Sequence, residues 1–494
     1  MAAIDEKSID REGKWVWPRR KFANLVDKLS AAGARVIAFD IGFLDADQND
    51  RLQTLKKIER KLEGLGIKDS SMDAYIEKLR RSADNDRVLA DAIQKAESEV
   101  VLGYFFQMNR KAAAHSRPRQ IRNQMQAVDS SRYPMVRYAS KAARSVPFIT
   151  AYMPESNIEP IAEAADYSGY FNMFADEDGV IRWIPGVLEC RDGLYAPLSL
   201  KAIAAYRSES LSLHIADDGI KRLQVGSLEI PTDETGRIMV NYRGGAGRFD
   251  HIPVTDILND RVSAERIRDK IILVGVTAVG VYDLRVTPFD NVFPGVEIHA
   301  NLVDGLMAGD FLRQPAWTVG FNVVAMLAFG LFLGFALPRI GAVSGAALTL
   351  LLGLFYVGVC QFLFSRMGLV VNLVYPLLAI VLIYIFISLY RYLVQESQKR
   401  FIRSAFATYL SPAVVNELIE SPEKLVLGGE KREITAFFSD VEGFTGISEK
   451  LDPGILVELL NEFLTEMTDI VLEKAGMVDK FEGDAIIAMF GAPN

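Results

Sequence analysis

Two carboxylates toward the C-terminal end of the chain, Asp440 and Asp484, each stand where a short apolar run meets a glycine turn. The first follows residues 434–438, a β-branched and aromatic run that predicts a strand ending in a turn with Gly443 and Gly446. The second lies with Gly483 between two predicted short strands, 477–482 and 485–490. Carboxylates gathered at strand ends suit a hard divalent cation such as Mg²⁺, which takes oxygen ligands and keeps room for substrate phosphates. Backbone N–H groups of the Gly443, Phe444, Thr445 turn suit phosphate oxygens. Taken singly, aspartates and glycines are also ordinary turn residues. Their grouping is what is specific.

One helix must fold the two carboxylates together. Asp452 predicts its N-cap, Pro453 its first residue and Gly476 the position just past its end. Leu456, Leu459, Leu460, Phe463, Met467, Ile470 and Val471 recur at helical spacing and predict one buried face.

The stretches F-S-D-V-E-G-F-T and K-F-E-G-D-A-I-I-A-M-F-G-A-P closely resemble the class III nucleotide cyclases, the adenylyl and guanylyl cyclases. The resemblance implies that Asp440 and Asp484 bind two metal ions, Mg²⁺ or Mn²⁺, with the backbone of Val441 contributing to the first site. It implies two-metal chemistry, in which the ribose 3′-hydroxyl is activated for attack on the α-phosphate and the departing pyrophosphate is neutralised. In that family the base-selecting residue lies three places before the Gly-Asp turn, which here is Lys480. A lysine donates to the acceptor N1 of adenine and cannot accept from the N1–H of guanine, so ATP is the expected substrate. The resemblance further implies a homodimer with two equivalent sites, each taking its aspartates from one chain and its lysine from the other.

The chain has 494 residues, half of them hydrophobic, and room for two or three domains. A net charge of −8 provides no basic field, which argues against a nucleic-acid partner. Cys190 and Cys360 cannot form a disulfide framework, and His115, His214, His251 and His299 show no metal-ligand spacing.

Residues 1–315 read as a mixed α/β module. Residues 15–32 predict a helix with Phe22, Leu25, Val26 and Leu29 on one face, feeding a strand over 35–43. Charge-rich helical sequence runs over 50–99, then a buried strand over 100–106. The polar, basic stretch 109–144 predicts a long loop or a partly ordered insertion. Strand-and-turn signals follow around Gly179, from Ile230, and in the apolar run from Ile271.

The segments I-D-E-K-S-I, W-P-R-R, A-F-D-I-G-F, N-Y-R-G-G-A-G, D-K-I-I-L-V-G-V-T-A, D-L-R-V-T-P-F-D and F-P-G-V-E-I-H-A resemble the extracytoplasmic CHASE-type sensor of the second subtype. The signal such a module senses is not written in these residues. Asp283, Arg285, Asp290 and His299 are polar ligand candidates, with bracing of loops against the core the stronger reading. The glycines of R-G-G-A-G read as a strand-ending turn, since no lysine or acidic partner follows as a nucleotide loop requires. G-G-E-K-R at Gly428 lacks the acidic pair of a diguanylate cyclase signature.

Three uncharged runs, 317–337, 341–364 and 369–390, each reach the length of about 20 residues that crosses the hydrocarbon core. Arg391, Lys399, Arg400 and Arg403 follow the last, so that end is expected in the cytoplasm and the first module outside. Beyond it Phe401, Ala405 and Tyr409 form a stripe, with Ile402 and Phe406 beside it, suited to a parallel helix pair between subunits. Ser411 and Pro412 predict the start of a second short helix.

The expected architecture is a multi-domain membrane protein: an α/β extracytoplasmic sensor (1–315), three transmembrane helices (316–390), a signalling linker (391–430), and the N-terminal part of an α+β ferredoxin-like cyclase domain (431–494). The expected function is that of a multi-pass adenylate cyclase in a bacterial inner membrane, regulated by an unknown extracytoplasmic signal. A guanylate cyclase is the alternative, or a non-catalytic receptor whose cyclase-like domain only binds nucleotide. The resemblance puts the family's second base-contacting residue and its asparagine–arginine pair beyond Asn494. It likewise puts a membrane-spanning signal before Met1, so none of these roles is assigned to a residue of this chain.

Overall fold

The computed structural model describes residues 1–47, 50–64, 70–114, 117–278, 284–406 and 431–491. They form two compact units, Met1–Gly320 with Gly358–Asn372, and Phe321–Val357 with Leu373–Asn494.

Short, uniformly apolar strands build the centre of the first unit, the pattern of a sheet covered on both faces. Ala2–Ile4 lies between Ile252–Pro253 and Ile271–Val276, which pairs in turn with Val36–Phe39 and that strand with Glu99–Gln107, all in parallel. Glu99–Gln107 also carries Tyr167–Tyr170 in parallel and Met153–Glu155 antiparallel.

Alternate side chains divide between two helical layers. Ile37, Phe39, Leu102 and Val274 pack with Phe22 and Leu25 of the helix Arg19–Ala31 and with Leu89 and Ile93 of Asn85–Lys95. Val36, Ala38, Val101 and Leu273 pack with Leu198 and Ala202 of Leu198–Arg207 and with Val296 and Ala300 of Gly295–Ala308. The result is a doubly wound α/β layer. At Gly103 a Cβ would lie 2.2 Å from the carbonyl oxygen of Phe39, so only glycine permits the two backbones to approach there. A second sheet runs in the order Leu228–Ile230, Gly219–Val225, Leu211–Ala216, Met135–Tyr138 over its own core, which includes Leu213, Leu223 and Ile203.

Several boundaries differ from expectation. The first long helix begins at Arg19 rather than 15, because Pro18 fixes an extended N-cap and pushes the residue before it out of the helical region. The strand predicted over 35–43 pairs only through Val36–Phe39. The helical stretch 50–99 comprises Asp50–Gly64, Ser70–Ala83 and Asn85–Lys95. The largest correction concerns 109–144, which is not a loop. It holds the helices Arg110–Ala114 and Pro118–Ala127 and the strand Met135–Tyr138. Pro118 starts its helix at the first helical turn, and the strand gains its order from parallel pairing with Leu211–Ala216, a partner far along the chain.

Among the described residues, three helices are long and apolar enough to cross a membrane: Trp317–Arg339, Ala342–Met367 and Val374–Val394. The third starts at Val374 rather than 369 because the residues before it are engaged elsewhere. Arg313 N–H donates to Gly368 O at 2.8 Å, and Val370 N–H donates to Arg313 O at 2.9 Å. Its helix continues to Phe406. In the second unit Arg391 donates to the carbonyls of Leu337 and Ile340 at 2.8 and 2.6 Å, closing the turn between the first two apolar helices. Tyr409, Ser411, Pro412 and Gly428 lie outside the described residues.

Candidate active site

The C-terminal segment forms a three-stranded antiparallel sheet in the order Thr435–Ser439, Ala485–Phe490, Met477–Glu482, with the helix Pro453–Glu473 against it. Period-two alternation turns Ile486 and Ala488 of the central strand inward, onto Val478 and Val471. The helix starts as its sequence predicts. Pro453 opens it, and the Asp452 carboxylate accepts the Gly454 N–H at 2.9 Å.

Its end differs from expectation. Ala475, not Gly476, takes the left-handed conformation (φ 58), while Gly476 N–H donates to Val471 O at 2.8 Å. Gly476 is needed for space instead, since a Cβ there would lie 2.5 Å from the Phe490 ring. The buried face is also narrower than seven residues. Leu456, Leu460, Phe463 and Met467 are half-buried and Val471 buried, but Leu459 and Ile470 remain 45% and 49% exposed. Seven positions cover more of the helix circumference than a sheet of three strands can bury.

The two aspartates are brought to one end of the sheet. Ser439 pairs with Ile486, so Asp440 leaves its strand beside the point where Asp484 enters the next. A hydrogen bond joins the two turns, with Val441 N–H donating to Asp484 Oδ2 at 3.3 Å. Gly483 (φ 67) makes the tight hairpin that sets Asp484 there. Gly443 (φ 76) opens the short helix Phe444–Ser448. Phe444 N–H donates to Val441 O at 3.2 Å, so this group of the predicted phosphate-binding turn is engaged within the turn itself. Gly443 and Thr445 are exposed.

Lys480 owes its position to a feature that sequence periodicity hides. The pairing register shifts between Val478 and Lys480, so that Asp479 is an extra residue in its strand. Val478 opposes the buried Ala488, whereas Lys480 opposes Ile487, which in turn opposes Phe438. Without the bulge Lys480 would share the inward face of Val478. With it, Lys480 joins Phe438 on the open face, on the far side of Ile487; the lysine side chain is 56% exposed and the phenylalanine 70%. Glu482, two residues on, was not singled out in the sequence. Its Oε1 lies 3.0 Å from Lys480 Nζ and holds the ammonium above its usual range. The spacing of two along a strand was the available signal.

The donor set fits a hard cation. Asp440, Asp484 and the Val441 carbonyl offer oxygen only, and one Asp484 oxygen is left over from its hydrogen bond to Val441. Among the described residues no group of three His, Cys, Asp or Glu could hold a metal ion. A site of two carboxylates is what Mg²⁺ uses when substrate phosphates complete its shell.

In the first unit the polar candidates divide. Asp283 lies outside the described residues, and Arg285 sits in the two-residue strand Leu284–Arg285. Asp290 Oδ2 accepts the Ala246 N–H at 3.5 Å, and His299 is wholly buried. The glycine-rich loop is braced by Glu297, which the sequence did not flag: its carboxylate accepts the N–H groups of Gly247 and Arg248, each at 3.0 Å. Burial pushes that carboxyl up, but His251 and the two N–H groups hold it below its usual range.

A doubly wound module, three membrane-length helices and a cyclase-type hairpin with two aspartates define a class: a membrane-spanning sensor protein with a nucleotide-cyclase domain at its C-terminal end. Known proteins agree. Residues 1–336 match the CHASE2 domain, and residues 428–494 match the adenylate and guanylate cyclase catalytic domain. The chain belongs to the CHASE2-domain family and carries a class III adenylate/guanylate cyclase domain.

An uncharacterized protein of Mycobacterium tuberculosis is 43% identical over 72 residues, 15% of this chain and 13% of that protein. An adenylate cyclase of Anabaena cylindrica is 33% identical over 99 residues, 20% of this chain and 18% of that protein. Adenylate cyclase 1 of Rhizobium meliloti is 34% identical over 88 residues, covering 18% and 13%. The adenylyl cyclase CyaB from P. aeruginosa, a solved structure, is 44% identical over 14% of this chain and 35% of that chain, with a TM-score of 0.14. The chain thus spans between an eighth and a fifth of the length of these curated relatives.

Proposed function

We propose that the full-length protein is a membrane-bound adenylate cyclase that converts ATP to 3′,5′-cyclic AMP and pyrophosphate, and that its extracytoplasmic module regulates it. One observation carries this reading: the Val441–Asp484 hydrogen bond that ties the Asp440 and Asp484 turns together at one end of the sheet. Two divalent cations, Mg²⁺ or Mn²⁺, held by Asp440, Asp484 and the Val441 carbonyl, would neutralise charge at the reacting phosphates. Val441 N–H fixes one oxygen of Asp484 and leaves the other for that role. The N–H groups of Gly443 and Thr445, two exposed residues, would bind substrate phosphate oxygens. Lys480, kept charged by Glu482, donates to adenine N1 and offers nothing to the N1–H of guanine.

Read as crossings, the three apolar helices among the described residues would leave residues 1–315 and the cyclase domain on opposite sides of a membrane. Arg339 and Arg391 mark the side expected to face the cytoplasm, with ATP, and residues 1–315 lie outside.

The site is shared between two copies of the chain. Exposure of Phe438 on the same sheet face as Lys480 supports this, since a second copy would cover the ring. Mixing tests it. Full-length Asp440→Ala and Lys480→Ala proteins, each impaired alone, recover up to about a quarter of the wild-type rate when co-expressed, because half the dimers carry one intact site of two. No recovery in demonstrated mixed dimers contradicts the shared site.

A further inference from the structure

The first unit holds a polar cavity of about 710 Å³ beside its parallel sheet, within the range of small-molecule sites. Leu44, beyond the strand Val36–Phe39, and Ser156, beyond Met153–Glu155, line it together with the helices Pro118–Ala127 and Glu159–Ala162. Asn157 braces its floor: its Oδ1 accepts the Phe43 N–H at 2.7 Å and its Nδ2 donates to Gly103 O at 2.9 Å.

The helix Pro118–Ala127 is the unusual wall. It is amphipathic, yet it buries no residue; Ile121, Gln124 and Met125 are only half-buried on its inner side. An amphipathic helix ordinarily packs its inner face against the core, so the space beneath this one is open for an occupant. Gln124 Oε1 is closed off from solvent and has no hydrogen-bond partner, and Ser156 is 8% exposed.

The charges on the rim select what enters. Arg117 and Arg119 belong to one wall, Glu159 and Glu163 to the other. A plain anion would meet the glutamates and a plain cation the arginines, while a neutral sugar needs neither pair. We propose that this cavity binds a small zwitterion of the α-amino-acid type. Its carboxylate pairs with Arg117 and Arg119, and its ammonium with Glu159 and Glu163. The proposal names a ligand class for the regulation proposed above and rests on that reading for its consequence, but the binding itself is independent of catalysis.

Isothermal titration calorimetry of the detergent-purified full-length protein tests it, with L-glutamine and glycine as probes and acetate and methylammonium as single-charge controls. Both amino acids should bind saturably and the controls should not. Arg119→Gln and Glu163→Gln should each weaken binding about tenfold or more, through loss of a charge-assisted hydrogen bond. Both positions are exposed, so the variants keep their circular dichroism. Arg182→Gln, whose guanidinium pairs with Asp176 and Asp178 away from this cavity, should bind as wild type. Failure of both amino acids to bind, equal binding of a single-charge control, or affinity that neither rim substitution weakens overturns the proposal. Cyclic AMP production by the same preparation separates the two readings: binding without turnover removes the proposed enzyme and keeps the site, and turnover without binding does the reverse.

Discussion

Replacing His299 by leucine should stabilise the first unit and erase part of its sensitivity to acid. His299 lies in the helix Gly295–Ala308 at 0% exposure, with neither ring nitrogen hydrogen-bonded. The closest carboxylate oxygen, Asp40 Oδ1, is 3.9 Å away, outside hydrogen-bond range. Burial therefore outweighs that carboxylate and pushes the imidazole down to about 3 from 6.5. Near neutral pH the ring is uncharged in both folded and unfolded chains, and the only cost is its unmet N–H. Below 6.5 the unfolded chain takes up a proton that the folded chain refuses, so stability falls as pH falls, until the folded group titrates near 3. The slope is about 1.4 kcal/mol per pH unit, which at about pH 5 is a loss of roughly 2 kcal/mol.

Leucine fills similar space without a polar atom. It should also recover part of the roughly 1–3 kcal/mol that an unmet buried donor costs. Unfolding by urea in detergent, followed by tryptophan fluorescence, reads this out, because Trp15, Trp17 and Trp183 belong to the first unit and Trp17 is buried. His299→Leu should have the higher midpoint near neutral pH, and its lead should widen at about pH 5. A lead that is the same at both pH values refutes the argument, since the protonation linkage would then be absent.

Two further outcomes follow from the cyclase domain. Gly476→Ala should destabilise it by about 1–3 kcal/mol, because the new methyl meets the Phe490 ring in a packed core; an unchanged thermal midpoint would show that the ring can move aside. Lys480→Glu in the full-length protein should lower turnover of ATP relative to GTP by about tenfold or more in a competition assay, through loss of the donor to adenine N1; an unchanged ratio would remove Lys480 from base recognition.

Local signals carried most of the C-terminal domain. The Gly483 hairpin, the Asp452–Pro453 helix start and both strands of the hairpin fall where short-range patterns put them. What depended on distant partners was hidden. The bulge at Asp479 arises from pairing with the central strand, and it decides which way Lys480 faces. The strand Met135–Tyr138 looked like part of a polar insertion because its partner, Leu211–Ala216, lies far along the chain. No local pattern marks Glu297 as a loop brace; the fold alone sets two backbone N–H groups against it. The three apolar helices were plain, since length and composition alone define them, but the start of the third was set by hydrogen bonds to Arg313.

Asp440 and Asp484 as a working cyclase site are tested by assaying cyclic nucleotide from membranes holding the full-length protein, supplied with Mg²⁺ or Mn²⁺ and with ATP or GTP. Cyclic AMP should form from ATP and fall by about a hundredfold or more in both Asp440→Ala and Asp484→Ala at equal protein levels. Undiminished cyclic AMP in either variant, or no cyclic nucleotide from the wild type while nucleotide still binds, would contradict the account.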